Sequence, residues 1–180
     1  MRIEKNDSVL VVVDIQERLF PHIDGHEQLV NNCRILISGV QSLEVPILVT
    51  EQYSKGLGTT IEPLRDILDN YSPIEKMSFS CCGESGFVKS LTDLNRKNVI
   101  LCGIEAHVCV LQTALDLHDQ GFQPVLIAEC VGSRKQSDKI YAIERMRDTG
   151  IIISTYESIL FELCREAGTE QFKLISKLVK

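Results

Sequence analysis

The sequence predicts an α/β fold, a three-layer αβα sandwich around a doubly wound, six-stranded parallel sheet in the order 3-2-1-4-5-6. Two observations predict it. Short apolar runs rich in β-branched residues alternate with longer segments of helical period. Those runs are apolar throughout rather than alternating, which suits strands covered by helices on both faces. With 180 residues the chain reads as one domain over 1–180, of a size that buries about 70% of its unfolded surface.

The expected strands are Val9–Val13, Pro46–Thr50, Pro73–Glu75, Val99–Cys102, Pro124–Ala128 and Ile151–Ser154. Between the first two, Leu29, Val30, Cys33, Leu36, Ile37, Val40 and Leu43 recur at the i, i+3, i+4, i+7 spacing of a helix with one buried face. Similar stripes precede the fourth strand (Phe87, Leu91, Leu94), follow it (Val108, Leu111, Leu115) and precede the sixth (Ile140, Ile143, Met146). The tail from Thr169 to Lys180 aligns Phe172, Ile175 and Val179, a helix docked on the domain or on a neighbouring subunit, and so a homo-oligomer is expected. Gln52 to Thr60, with Gly56 and Gly58, is the candidate mobile lid; the plainer reading is an ordinary turn.

Composition narrows the function. A net charge of −6, with no basic cluster longer than Arg134-Lys135, offers no footprint for a phosphate backbone, so nucleic acid is not expected as a partner. No run approaches the roughly 18 apolar residues of a membrane span. Val9–Val13 is too short for a signal-peptide core. Seven cysteines without a CxxC pair argue for reduced thiols, and the cytoplasm is the expected location. Neither GxGxxG after the first strand nor GxxxxGK[ST] is present, so no nucleotide cofactor is expected.

In doubly wound sheets the ligand sits beyond the C-terminal ends of the strands, where the winding reverses. Asp14 ends the first strand there, Lys76 follows the third, and Cys109 opens the helix after the fourth. Strand 3 lies two spacings from strand 1, roughly 9–10 Å, a gap that a lysine can cross. Each residue alone has a plain explanation, as a cap, a solvated cation and a core thiol. Together they supply a general base, a fixed cation and a nucleophile, and a helix N-terminus favours the thiolate. Phe20, Gln52, Tyr53 and Phe79 are pocket walls by position, or ordinary core. Glu105 either lines the pocket, where an ionised carboxylate would repel anions, or pairs with an Arg or Lys. His107, two residues before Cys109, points to a different helix face and makes a poor Cys-His partner.

Val-Val-Asp14-Ile-Gln16, Lys76 with Ser78-Phe79, and Gly103-Ile-Glu-Ala-His-Val-Cys109-Val-Leu-Gln-Thr113-Ala114 resemble the isochorismatase-like cysteine hydrolases over about residues 8 to 160. The last stretch and Thr50 to Gly58 look most like the isochorismatase domain-containing proteins. The resemblance implies an Asp14-Lys76-Cys109 triad. It also implies a cis Ile104-Glu105 peptide that aims the N–H groups of Glu105 and Cys109 into one oxyanion hole. Nicotinamidases carry an Asp-x-His metal motif where this chain has Glu51-Gln52-Tyr53, so no zinc is expected. Isochorismatases proper generally lack the cysteine; its presence points to thioester chemistry. The expected activity is therefore hydrolysis of a small-molecule C–N (amide-type) or related acyl bond. The alternatives are a catalytically silent binding or scaffold protein and a redox-sensing thiol on the same fold.

Overall fold

The computed structural model describes residues 2–180. Six parallel strands, β1 (Ser8–Val13), β2 (Ile47–Gln52), β3 (Ile74–Lys76), β4 (Asn98–Ile104), β5 (Gln123–Gly132) and β6 (Ile152–Ser154), form one sheet in the order β3-β2-β1-β4-β5-β6. Alternation of side chains along β1 builds both cores. Leu10 and Val12 pack with Cys33, Leu36, Ile37 and Val40 of helix α1 (His26–Ser42). Val9, Val11 and Val13 face the other way, toward Phe87 and Leu91 of α4 (Ser85–Leu94), Leu117 of α5 (Leu111–Asp119) and Met146 of α6 (Gln136–Asp148). Two single-turn helices, α2 (Ser54–Leu57) and α3 (Glu62–Arg65), lie between β2 and β3.

Several boundaries differ from the sequence reading. Strand β4 runs on through Gly103, which the apolar-run criterion passes over. There φ is +134°, and a Cβ would lie 2.1 Å from the Val13 carbonyl oxygen, so only glycine lets β4 pair with β1 at this level. The register of β4 against β5 shifts between Leu101 and Gly103, and β5 extends to Gly132. Lys76 is the last residue of β3 rather than the first beyond it.

Two alternatives are narrowed. The apolar face of the last helix, α8 (Glu170–Leu178), packs against α1 and against α7 (Tyr156–Cys164) of the same chain and buries Ile175, the first of the two expected dockings. Helix α7, which no stripe announced, starts at a Thr155 cap whose hydroxyl accepts from the Ser158 N–H. The Gln52–Thr60 segment is pinned rather than free. The Gln16 amide donates to the carbonyls of Gln52 (3.0 Å) and Gly58 (2.7 Å), and Gln16 bridges to Thr60. Among the described residues no helix is long and apolar enough to cross a membrane, and the seven cysteines are free thiols.

Candidate active site

Period-2 alternation sends Leu48, Thr50 and Gln52 of β2, and Ile74 and Lys76 of β3, to the face that carries α5, and the ladder sets Gln52 beside Lys76. Asp14 follows β1 with φ of 51°, a left-handed conformation that breaks the alternation of the strand and turns its carboxylate to that same face. Asp14 Oδ1 accepts from Thr50 Oγ1 at 2.8 Å, and Oδ2 lies 2.6 Å from Lys76 Nζ. Both side chains are 0% exposed, so the ion pair is fully desolvated.

The ammonium of Lys76 also donates to Gln52 Oε1 (2.8 Å), the Phe79 carbonyl (2.9 Å) and the Ser78 carbonyl (3.1 Å). Four oxygens surround a group with three N–H bonds. Lys76 therefore has no donor left for another molecule, and its charge fixes the Asp14 carboxylate, the Gln52 amide and the backbone at residues 78 and 79.

Cys109 sits fourth in a π-helical turn, Ala106–Val110, between β4 and α5. Cys109 is 6% exposed, its thiol donates to Gln52 Oε1 at 3.8 Å, and Asp14, whose Oδ2 has no hydrogen-bond donor, lies close enough for its charge to act on the sulfur. The thiol pKa is pushed up to about 12, first by burial and then by the negative charge of Asp14, with Lys76 opposing. This reverses the sequence reading of a thiolate held by Lys76 and a helix terminus. Cys109 lies past the first residues of its helical segment, and burial together with the Asp14 charge outweighs the opposing effect of Lys76. The resting site holds a thiol against a carboxylate.

The Ile104-Glu105 peptide is cis. Among the described residues no group accepts from the Glu105 N–H, whereas the Glu105 carbonyl accepts from Val108 and Val110. The Glu105 side chain follows the paired reading: its carboxylate accepts from the backbone N–H of Arg134 (3.0 Å) and from Arg134 Nε (3.1 and 3.2 Å). His107 turns away from the thiol, with Nδ1 2.9 Å from Ser133 Oγ and Nε2 3.8 Å from Asp138.

Gln52 is thus part of the cluster itself, and Tyr53 and Phe79 are exposed beside it together with Met77. A groove of about 380 Å³ lined by Tyr53, Lys55, Glu75, Lys76, Met77 and Glu84 opens there. Phe20 packs on the α1-side core and meets His26 edge-on at 5.1 Å, on the opposite layer from Cys109. Glu51, at the position of the metal motif, has its carboxylate occupied by the Thr60 N–H and hydroxyl and by the Tyr71 hydroxyl. Among the described residues no group of three or more His, Cys, Asp or Glu is placed to hold a metal ion.

Sequence reasoning missed Thr50, Met77, Arg134 and the two carbonyls that hold Lys76. Thr50 was within reach of the rule that selected Asp14, since it ends the second expected strand, whereas Arg134 falls just past β5 only because that strand runs on to Gly132. The backbone acceptors leave no trace in residue identity.

The class defined by the fold and site is a doubly wound αβα protein with an acid, a lysine and a cysteine gathered where the winding of its sheet reverses. The isochorismatase domain description matches residues 8–158. Isochorismatase domain-containing protein 2 of Danio rerio is 38% identical over 180 residues, covering 99% of this chain and 89% of that protein. Isochorismatase domain-containing protein 2A of Mus musculus is 37% identical, covering 99% and 85%. Among solved structures, the MAR1 ribonuclease from Caenorhabditis elegans superposes with a TM-score of 0.93 at 37% identity, covering 99% of this chain and 92% of that one. The chain belongs to the isochorismatase family, and its general class is hydrolase.

Proposed function

We propose that this protein is a cysteine hydrolase that cleaves a small-molecule amide-type C–N bond, or a related acyl bond, through a thioester on Cys109. The observation that carries the reading is the Asp14 carboxylate, buried between the Lys76 ammonium at 2.6 Å and the Cys109 thiol. A carboxylate in that position can take the thiol proton as sulfur attacks, which a buried thiol with pKa about 12 requires.

In the proposed cycle Asp14 Oδ2 accepts the Sγ–H proton while Sγ bonds to the carbonyl carbon. The oxyanion that forms is held by the Glu105 and Cys109 N–H groups. As the C–N bond breaks, Asp14 passes the proton to the leaving nitrogen. Asp14 then takes a proton from water, the hydroxide equivalent adds to the thioester carbon, and the departing sulfur recovers the proton as the acid leaves. Lys76 holds the Asp14 side chain in place between steps.

The alternatives gain less support. Redox-sensing thiols combine a low pKa with exposure, and Cys109 has neither. A silent scaffold has no use for a desolvated acid-lysine pair aimed at a thiol. Cleavage of RNA, the activity named for the Caenorhabditis elegans protein, would have to work on a chain of net charge −6. The test is a screen of small amides, nitriles, esters and RNA with wild-type protein and Cys109→Ala. The expected result is hydrolysis of at least one acyl substrate, a thioester adduct visible by intact mass, and no turnover in Cys109→Ala. Full activity in that variant refutes the proposal.

A further inference from the structure

Three thiols that the proposed hydrolysis leaves unused meet beneath α1. Cys33 belongs to that helix, Cys102 to β4 and Cys130 to β5, and all three are fully buried in the α1-side core. The register shift between the two strands brings their cysteines level. Leu101 pairs with Leu126 and Gly103 with Val131, two steps along β4 against five along β5, so β5 carries three extra residues and Cys130 arrives beside Cys102 as the bulge closes. The Cys33 sulfur bonds to both of these thiols and lies 3.6 Å from the Cys130 carbonyl oxygen, to which it donates while protonated.

The cluster has unequal members. Bonds from the Cys102 and Cys130 thiols, with help from the Lys139 charge, hold Cys33 well below the usual thiol range against the opposing effect of burial. Burial pushes the Cys81 and Cys109 thiols up instead. A groove of about 340 Å³ opens beside the cluster and is lined by the chain neighbours of Cys33 and Cys130, among them Leu29, Asn32, Glu129 and Val131, and by Lys139. The Asn32 amide spans the gap between helix and bulge, donating to the Glu129 carbonyl at 2.9 Å. A peroxide, neutral and little larger than water, can approach by this gap.

Geometry also selects the pair that can join. A disulfide brings Cβ atoms to about 3.8 Å, closer than the roughly 4.8 Å spacing of adjacent strands, which disfavours Cys102 with Cys130. Helix α1 approaches β5 more closely than any other strand, with Cα atoms within 8 Å. Cys33 therefore faces Cys130 across the shorter gap.

We propose that Cys33 and Cys130 are an oxidative modification site, at which a peroxide oxidises Cys33 and Cys130 resolves it to a reversible disulfide joining α1 to β5, independently of Cys109. In the first step the Cys33 sulfur attacks a peroxide oxygen. The S–O bond forms, the O–O bond breaks, and the departing hydroxide becomes water with the proton that Cys33 released. In the second step the Cys130 sulfur attacks the Cys33 sulfur. The S–S bond forms, the S–O bond breaks, and the hydroxide leaves with the Cys130 proton as water. Two thiols give up two electrons and two protons, and one hydrogen peroxide is reduced to two waters.

The test treats wild-type protein and Cys109→Ser with hydrogen peroxide, caps the remaining thiols with iodoacetamide after unfolding, and maps the unreduced peptides by mass spectrometry. The expected result in both proteins is loss of two hydrogen atoms from the intact mass and a peptide pair joining residues 33 and 130 that disappears with dithiothreitol. In Cys130→Ser the pair is lost and Cys33 gains one oxygen, trapped by dimedone on unfolding; if that variant does not fold, the wild-type map decides alone. Cys82 and Cys164, which are partly exposed, serve as internal comparators. Oxidation confined to Cys82, Cys109 or Cys164, with Cys33 and Cys130 recovered as free thiols, overturns the proposal. So does a link from Cys33 to Cys102, or a link that forms in wild type and fails in Cys109→Ser. None of these outcomes bears on whether Cys109 hydrolyses an acyl substrate.

Discussion

Removing the charge of Asp14 should make Cys109 more reactive toward an alkylating agent and useless as a catalyst. At pH 7 a thiol with pKa about 12 is ionised in about one molecule in 10⁵, against roughly one in thirty for a free cysteine. Iodoacetamide should therefore modify wild-type Cys109 slowly at neutral pH, with a rate that climbs through pH 10 and shows no plateau below it. Burial contributes most to the raised pKa, the Asp14 charge comes next, and Lys76 acts in the opposite sense. Asp14→Asn deletes the second contribution and leaves the lysine unopposed, so the thiol pKa falls. A drop of one pKa unit, 1.36 kcal/mol, already multiplies the thiolate fraction about tenfold at any pH well below the pKa. The assay is the alkylation rate of the Cys109 peptide from about pH 6 to 10 in both proteins, alongside hydrolysis of whichever substrate the acyl screen yields. The expected pattern is faster alkylation with no hydrolysis in Asp14→Asn. A wild-type plateau between about pH 6 and 8, or slower alkylation in the variant, would refute the thiol-carboxylate resting state.

Two further outcomes concern the frame around the site. Gly103→Ala should destabilise the fold by at least about 3 kcal/mol in urea denaturation, because the new Cβ meets backbone atoms of Val13 and φ is +134°; a variant within about 1 kcal/mol of the parent would show that β4 can move off β1. Glu51→Ala should cost about 3 kcal/mol by the same measurement, since it strips the Thr60 N–H, the Thr60 hydroxyl and the Tyr71 hydroxyl of their acceptor. Unchanged stability there would mean that water replaces the carboxylate.

The architecture was legible because burial on both faces leaves a strong mark. Val9–Val13 and Val99–Cys102 can hardly be anything but central strands, and the winding rule then places Asp14 beside Cys109. Less legible was whatever depends on backbone direction. Strand ends at Lys76 and Gly132 carry polar or small residues that an apolar criterion discards. The ionisation of Cys109 was read with the wrong sign, because position at a helix start is visible in sequence and the depth of burial beside Asp14 is not. Phe20 illustrates the converse: an aromatic near a strand end turned out to serve the α1-side core.

The crowding of oxygens around Lys76 has a consequence for timing. In a cycle where Asp14 carries the sulfur's proton, the acid is neutral for that interval and attracts the ammonium less. The Gln52 amide and the carbonyls of Ser78 and Phe79 then draw the ammonium more strongly, since they are its remaining acceptors. The segment bearing Phe79 should grip hardest while the proton is in transit and relax once it is returned, so one lysine would synchronise a protonation event with the tension of the surrounding wall.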